Sequence, residues 1–306
     1  MISSETPFVS IIIPVYDDPD GLRDTLESMV AQSYDEYEII VSITPATGET
    51  LATAQEYSND DRDEIKIVEV PSRGRAAGRN AGIEDSEGDV LAFVDADVRA
   101  SEDWLREAIA EMDERNADYM ACDIQFPHGS ADMGFIERYE RALSLPVEHY
   151  IKEYNFAPTA SLFVTQEIIS DVGGFDSRLT SSEDKEFGAR IHDAGYELHF
   201  APNLVMYHPV RSTFTSHYAK AIRIGHGTQQ LYHYYPSRFS IPSLYSPLAY
   251  APPHPSRIRD RIESNEYDPS FLEFILFYMF NYFLKIVQQY GRWEERKLLS
   301  TENDTR

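Results

Sequence analysis

Short apolar runs alternate with helical stretches through the first 120 residues. Val9–Val15 (VSIIIPV) is almost wholly apolar, as a strand covered on both faces is. Gly21–Gln32 carries Leu22, Leu26, Met29 and Val30 at the spacing of one helix face. Glu38–Ile43 and Ile65–Val70 read as a second and a third strand, Gly74–Ile83 opens another helix, and Val90–Val94 is a fourth strand. Ser101 stands where it caps a further helix with acidic residues near its start, as the helix dipole favours. This alternation predicts an α/β fold: a mostly parallel, doubly wound sheet with ligands at the carboxyl ends of its strands.

Beyond residue 120 the pattern loosens. Ala160–Val164 and Glu197–Phe200 read as strands and Ser182–Ala194 as a helix. Seven prolines between Tyr234 and Pro269 argue against long regular elements there. Phe271–Val287 (FLEFILFYMFNYFLKIV) is a 17-residue apolar stretch broken by Glu273, Asn281 and Lys285, and a polar tail follows. The expected organisation is a main domain over 1–232, a proline-rich connection over 233–270, and a C-terminal helix with its tail over 271–306. A transmembrane helix needs about 20 predominantly apolar residues. The aromatics of this shorter stretch suit a membrane interface, with packing on the domain or in a dimer as the alternative.

Composition narrows the partners. The 306 residues hold 52 acidic and 27 basic side chains, a net charge of −25, so nucleic acid is excluded as a partner by phosphate repulsion. Only 6 of the 27 basic residues are lysine. An acid-rich, lysine-poor chain with ordinary apolar strands reads as a protein hydrated for high salt, where self-repulsion is screened. The single cysteine, Cys122, rules out a disulfide framework within the chain and suits a reducing compartment. The N-terminal residues MISSETPFVS show no basic region followed by an apolar run, so no signal peptide is expected and the location read is cytoplasmic.

Three segments carry chemistry. VLAFVDAD ends a strand in Asp95 and Asp97, and alternation along an extended chain sends both carboxylates the same way. Two converging carboxylates call for a positive group between them, and Mg²⁺ carrying a diphosphate fits; Asp-x-Asp is also common on ordinary loops. RGRAAGRNAG (73–82) sets Arg75 and Arg79 one helical turn apart at a helix start, a good neighbour for phosphate or nucleotide. Its small residues serve equally for tight packing on a sheet. GGFDSRLTSSED (173–184) ends in Glu183 and Asp184, an acidic pair suited to general-base work on a hydroxyl or to helix capping with Ser181 or Ser182.

In order, VSIIIPVYDD, RGRAAGRNAG, FVDADV and GGFDSRLTSSED resemble the family 2 glycosyltransferases, inverting enzymes of the GT-A fold, here of haloarchaeal type. The resemblance covers roughly residues 8–230 and implies a nucleotide-diphosphate sugar as donor, with UDP the default nucleotide. It implies that Pro14, Tyr16 and Asp17 at the first strand's end cradle the base, and that Arg79 and Asn80 face the nucleotide. Asp95 and Asp97 then hold ribose and Mg²⁺ or Mn²⁺, and His208 in NLVMYHPV completes the metal shell. Asp184, beside Glu183, becomes the base that deprotonates the acceptor. One departure stands out: where the family's second strand ends in Asp-Asp-Gly-Ser, this chain has Ser42, Ile43 and Thr44, which leaves the donor base open to GDP or another carrier.

The mechanism implied is a single displacement with inversion, moving one sugar to a lipid-linked (polyprenyl phosphate) glycan at the cytoplasmic face of the membrane, as in surface-protein N-glycosylation. Residues 289–293 (QYGRW) fit the Gln-x-x-Arg-Trp pattern of processive members but trail Asp184 by 105 residues, so single-sugar transfer is expected. Arg223, Gly225, His226 and Gly227 look like the acceptor-side helix of non-processive relatives. A sugar nucleotidyltransferase is the rival enzyme, though PVYDDPDG lacks its Gly-rich phosphate loop. A catalytically silent nucleotide-sugar-binding protein is the rival from another class.

Overall fold

A computed structural model describes residues 6–44, 48–58, 65–71, 74–127 and 133–304. Arg73 and residues 1–5, on which two of the expectations above draw in part, lie outside the described residues. In chain order the elements are β1 (Val9–Val15), α1 (Pro19–Met29), β2 (Tyr37–Ile43), α2 (Gly48–Ser58), β3 (Ile65–Glu69), α3 (Arg75–Asp85), β4 (Val90–Val94), β5 (Arg99–Ala100), α4 (Trp104–Arg115) and β6 (Tyr119–Gln125). There follow α5 (Phe135–Leu143), α6 (Val147–Tyr154), β7 (Ser161–Thr165), α7 (Gln166–Val172), α8 (Glu183–Asp193), β8 (Leu198–Tyr207), α9 (Phe214–Tyr234), α10 (Pro255–Ser264) and α11 (Phe271–Asp304).

The eight strands form one sheet in the order β3-β2-β1-β4-β7-β6-β8-β5. β3, β2, β1 and β4 are parallel, and β6 and β8 are parallel. β7 is the antiparallel strand that joins these two sets, and β5 closes the edge antiparallel to β8. β1, β2 and β4 are buried almost throughout, which is why their bounds were readable as apolar runs. α3 lies close on β1. A Cβ on Gly78 would stand 3.1 Å from the Pro14 Cβ, and one on Gly82 would stand 2.4 Å from the Ile12 Cγ2.

Several expectations are corrected. β8 runs to Tyr207, well past Phe200, because a bulge after Cys122–Ala201 absorbs Pro202–Leu204 and pairing resumes at Asp123–Val205. The N-cap of α4 is Asp103, and Ser101 contributes only its carbonyl, which accepts from the Trp104 N–H. The proline-rich stretch does hold a ten-residue helix, α10, because Pro255 occupies its first turn, where a missing N–H costs nothing. The polar tail continues α11 to Asp304.

The chain groups into two compact units: residues 1–127, 147–177 and 184–209, which contain the whole sheet, and residues 128–146, 178–183 and 210–306. In the second unit α9 and α11 pack backbone to backbone. A Cβ on Gly225 would lie 2.2 Å from the Gln288 carbonyl oxygen, and one on Gly291 would lie 2.4 Å from that of Ile222. Tyr139, Leu143, Ala221, Ile258, Phe277 and Leu284 fill the core of this unit.

Within that core sits a charge cluster that no sequence motif announced. Glu140 is fully buried. It accepts from Arg211 at 2.7 Å and from the Ser144 hydroxyl, with His217 Nε2 at 3.4 Å and Lys220 Nζ at 3.7 Å. Burial alone would raise its pKa, but Lys220 and Arg211, with the Ser144 hydroxyl and His217, bring it down to about 2. Burial pulls Lys220 down to about 8, with Glu140 partly opposing. Removing the one anion would leave the partly buried Arg211 and Lys220 cations uncompensated, so Glu140→Gln should cost about 3–5 kcal/mol in urea unfolding. Because the folded pKa is depressed, this carboxylate stabilises the protein above about pH 4.5, and that contribution should fade as pH falls toward about 2. A Glu140→Gln stability equal to the parent's, or parallel acid-unfolding curves for the two proteins, would contradict this account.

Candidate functional site

β1 and β4 are parallel neighbours, so their carboxyl ends lie side by side. β1 leads into Tyr16 and Asp17. Asp17 adopts φ +47°, a left-handed conformation that short polar side chains tolerate, and Tyr16 is 52% exposed at the rim, where a planar ring can stack on it. Asp18 then caps α1 by accepting from the Gly21 N–H at 3.0 Å. A Cβ on Gly21 would stand 2.7 Å from the Ala96 carbonyl oxygen, and Thr25 donates to the Val98 carbonyl at 2.8 Å. The start of α1 thus braces the Asp95–Asp97 loop. Pro14, at the end of β1, lies under Gly78 of α3. Just after β2, buried Thr44 spends its N–H and hydroxyl on the Val15 carbonyl.

Asp95 pairs with Arg79, and Asp97 lies against His208. β4 ends at Val94 and the chain turns at once, so strand alternation no longer governs where the two aspartates point. Asp95 accepts from Arg79 Nη2 at 2.9 Å, and Arg79 is itself only 1% exposed. Burial pushes Asp95 up, but Arg79, Arg75 and His208 together hold its carboxyl below the usual range, so it stays anionic.

Asp97 faces His208, whose Nε2 lies 3.6 Å from Asp97 Oδ1. β5 brings them together: it continues the Asp97 loop and pairs Arg99 with Tyr207, the residue before His208. His208 is buried, and its Nδ1 lies 2.8 Å from the Pro209 carbonyl oxygen. A carbonyl only accepts, so Nδ1 carries a proton, and Nε2 is the ring nitrogen turned toward Asp97. That is the arrangement in which a metal-ligating histidine is held by its other ring nitrogen. Among the described residues no three His, Cys, Asp or Glu side chains already converge as a cage. A divalent ion that keeps waters and takes phosphate oxygens needs only one or two protein ligands, and Asp97 with His208 meets that requirement. Asp95 is tied to Arg79.

α8 begins with the acidic pair, and the structure separates the two residues. Glu183 is 6% exposed, whereas Asp184 is only partly buried. Asp184 Oδ1 accepts from the Lys185 N–H at 2.7 Å. The carboxylate lies near buried Tyr119, whose phenol is pushed up by burial and then by the Asp184 charge. Ser182, just before the helix, is left-handed with φ +66°.

Asn80 serves the same turn. Its Nδ2 donates to the Phe175 carbonyl at 2.7 Å and its Oδ1 accepts from the Phe175 N–H at 2.8 Å, so both ends of the amide are committed to backbone. Two supports were not foreseen in the sequence. Phe175 wedges edge-on against Phe93 of β4 at 5.2 Å and packs on Phe187 of α8 at 4.4 Å. Arg190 pairs with buried Glu186 and donates to the Val172 and Gly174 carbonyls, stapling the glycine turn to α8. The Glu186/Arg190 i,i+4 spacing was the available signal.

These features place the Arg79–Asp95 ion pair, the Asp97–His208 pair and the partly buried Asp184 in the unit that holds the sheet. Comparison with known proteins gives the family. Residues 10–166 match the family described as Glycosyl transferase family 2, and residues 90–287 match Glycosyl transferase family group 2. The chain is 32% identical over 234 residues to Glycosyltransferase AglE of Haloferax volcanii, covering 76% of each chain. It is 32% identical over 152 residues to the putative glycosyltransferase EpsH of Bacillus subtilis, spanning 48% of this chain but only 43% of that one. In structure it resembles the mannosyltransferase PcManGT of Pyrobaculum calidifontis, solved with GDP-Man and Mn²⁺, with a TM-score of 0.64 and 17% identity over 95% of this chain and 88% of that one. The 1–349 fragment of S. aureus TarS, solved with UDP, gives a TM-score of 0.55 and 18% identity over 95% and 91%. These two likenesses show the GT-A fold.

Proposed function

The chain belongs to the family 2 glycosyltransferases, enzymes that use nucleotide-sugar donors, and from that premise we propose that it moves one sugar to a lipid-linked glycan with inversion. The observation that carries the donor site is the Asp97–His208 pair beside the Arg79–Asp95 ion pair. Asp97 and His208 would hold Mg²⁺ or Mn²⁺, which when bound neutralises charge on the departing diphosphate. Arg79 fixes Asp95 as an anion for the ribose hydroxyls, while Tyr16 and Asp17 flank the base. Asp184 takes the proton as the acceptor oxygen attacks from the sugar's far side. We take UDP as the nucleotide and residues 1–232 as the transferase domain. Competition between UDP and GDP for labelled donor tests the first choice. Mass spectrometry of lipid-linked glycans from a deletion strain tests the acceptor: glycans short by one sugar are expected, and an unchanged pattern overturns the reading.

The acceptor reading is supported by α11, which is long and apolar enough to cross a membrane by length and composition. The three residues that broke its apolar run all face its own unit: Glu273 pairs with Arg138, Asn281 donates to the Tyr139 hydroxyl, and Lys285 donates to the Ala251 carbonyl. The opposite face exposes Leu272, Leu276, Met279, Phe283 and Ile286, with Phe271 81% and Tyr290 54% exposed at its ends. Phe214 of α9 extends this stripe, 5.7 Å from Phe283. A helix with its polar residues inward and its apolar face bare suits a surface lying in lipid headgroups. Charge follows the same division: residues 128–146, 178–183 and 210–306 carry 15 basic and 13 acidic residues, the remainder 12 and 39. Leu276→Glu/Met279→Glu should abolish co-sedimentation with anionic phospholipid vesicles in molar NaCl while keeping the parent's melting temperature. Equal pelleting of parent and variant would contradict attachment through this stripe.

The acidic remainder carries the high-salt reading. On dilution from molar NaCl to about 0.1 M, the melting temperature should fall as like charges lose their screening. A flat or rising melting temperature would remove it.

A further inference from the structure

The second unit carries a half-open cavity of about 540 Å³ that no step above uses. Its walls are the last turns of α9 (Gln229, Tyr232, His233), the following loop at Tyr245, and Arg292 and Arg296 of α11. Arg292 is only 4% exposed. Its Nη1 donates to Gln289 Oε1 at 2.7 Å and its Nη2 to the Pro242 carbonyl at 2.9 Å, both neutral acceptors, and its Nε has no partner. Burial lowers the pKa of this guanidinium, with no carboxylate acting to restore it.

Arg296 lies 5.0 Å over the Tyr245 ring. Among the described residues neither arginine has a carboxylate within ion-pair distance, although acidic residues outnumber basic ones almost two to one. The acidic residues next to them on α11 are engaged elsewhere, Glu294 with His226 and Glu295 with Gln230. A buried guanidinium without a counter-charge is costly, and its fork geometry matches phosphate oxygens.

We propose that this cavity binds the phosphoryl group of a phosphate ester. The guanidiniums of Arg292 and Arg296 meet its oxygens, with the His233 imidazole beside them. Tyr232 and Tyr245 give the ester's organic part an aromatic wall. The Gln-x-x-Arg-Trp match at 289–293 then has a local meaning: Gln289 orients Arg292, and Trp293 donates to the Tyr250 hydroxyl at 2.8 Å, fixing the loop that closes the cavity. The same chemistry could be presented by a lipid headgroup, as the acceptor reading above would supply, or by a soluble phosphate. The proposal stands on the cavity in either case.

The test is calorimetry on the full chain at constant ionic strength, titrating inorganic phosphate and, separately, geranyl phosphate. One-site saturable binding is expected, weakened at least tenfold in Arg296→Gln, an exposed position whose change leaves the fold intact, and further in Arg292→Gln. Tighter binding of geranyl phosphate identifies a lipid ester as the source, and equal binding identifies soluble phosphate. Asp97→Asn should bind both probes as the parent does, which separates this site from the donor site. No saturable binding by the parent, parental affinity in Arg296→Gln, or loss of binding in Asp97→Asn would overturn the proposal.

Discussion

Asp184→Asn is expected to cut turnover by about 10²–10⁴-fold, the scale of a lost general base, while donor affinity stays close to the parent's. The amide keeps an oxygen where Asp184 Oδ1 accepts the Lys185 N–H, so the first turn of α8 should survive the change. What disappears is the acceptor for the hydroxyl proton. Single-turnover kinetics with donor in excess reads that step, and calorimetry reads donor binding. A collapse of donor affinity alongside turnover would mean that the residue holds the helix start and takes no proton. Glu183→Gln is the informative partner. Glu183 is buried, and its loss should lower stability before it lowers the chemical step.

Asp97→Asn should lower metal-dependent donor affinity by at least about 10²-fold, since even a residue that merely orients a ligand costs about 10–100-fold. His208 would remain with its Nδ1 proton on the Pro209 carbonyl, so the residual site is a single neutral nitrogen. Donor binding with and without Mn²⁺ separates this effect from a general loss of the fold, because the metal-free affinity should not move. Unchanged Mn²⁺-dependent affinity would remove Asp97 from the metal site.

The sequence carried six of the sheet's eight strands, missing β5 and β6, and physical reasons mark where it stopped. β1 and β4 were readable to the residue because strands buried on both faces leave almost wholly apolar runs. The rest of β8 hid behind Pro202 and Asn203, which look like a turn until the bulge is seen. α10 hid among prolines because only the three-dimensional start tells a helix-opening Pro255 from a helix-breaking one. Asp95 and Asp97 were found as a pair, but their neighbours Arg79 and His208 were not legible from alternation, since the turn after Val94 lies beyond any periodicity. The role of Asn80 as a clamp on Phe175, 95 residues away, and the burial of Glu140 among distant cations are long-range facts with no local signature. α11 shows the same limit differently. Its polar interruptions argued against a membrane-spanning helix, yet they are what ties it to its unit.

The central claim is a direct displacement with Asp184 as base and no protein nucleophile. The anomeric configuration of the first product, read from the one-bond carbon–proton coupling of its new linkage by NMR, tests it most directly. The account predicts that the anomeric configuration is inverted relative to the donor sugar. A product that retains the donor's configuration would contradict it.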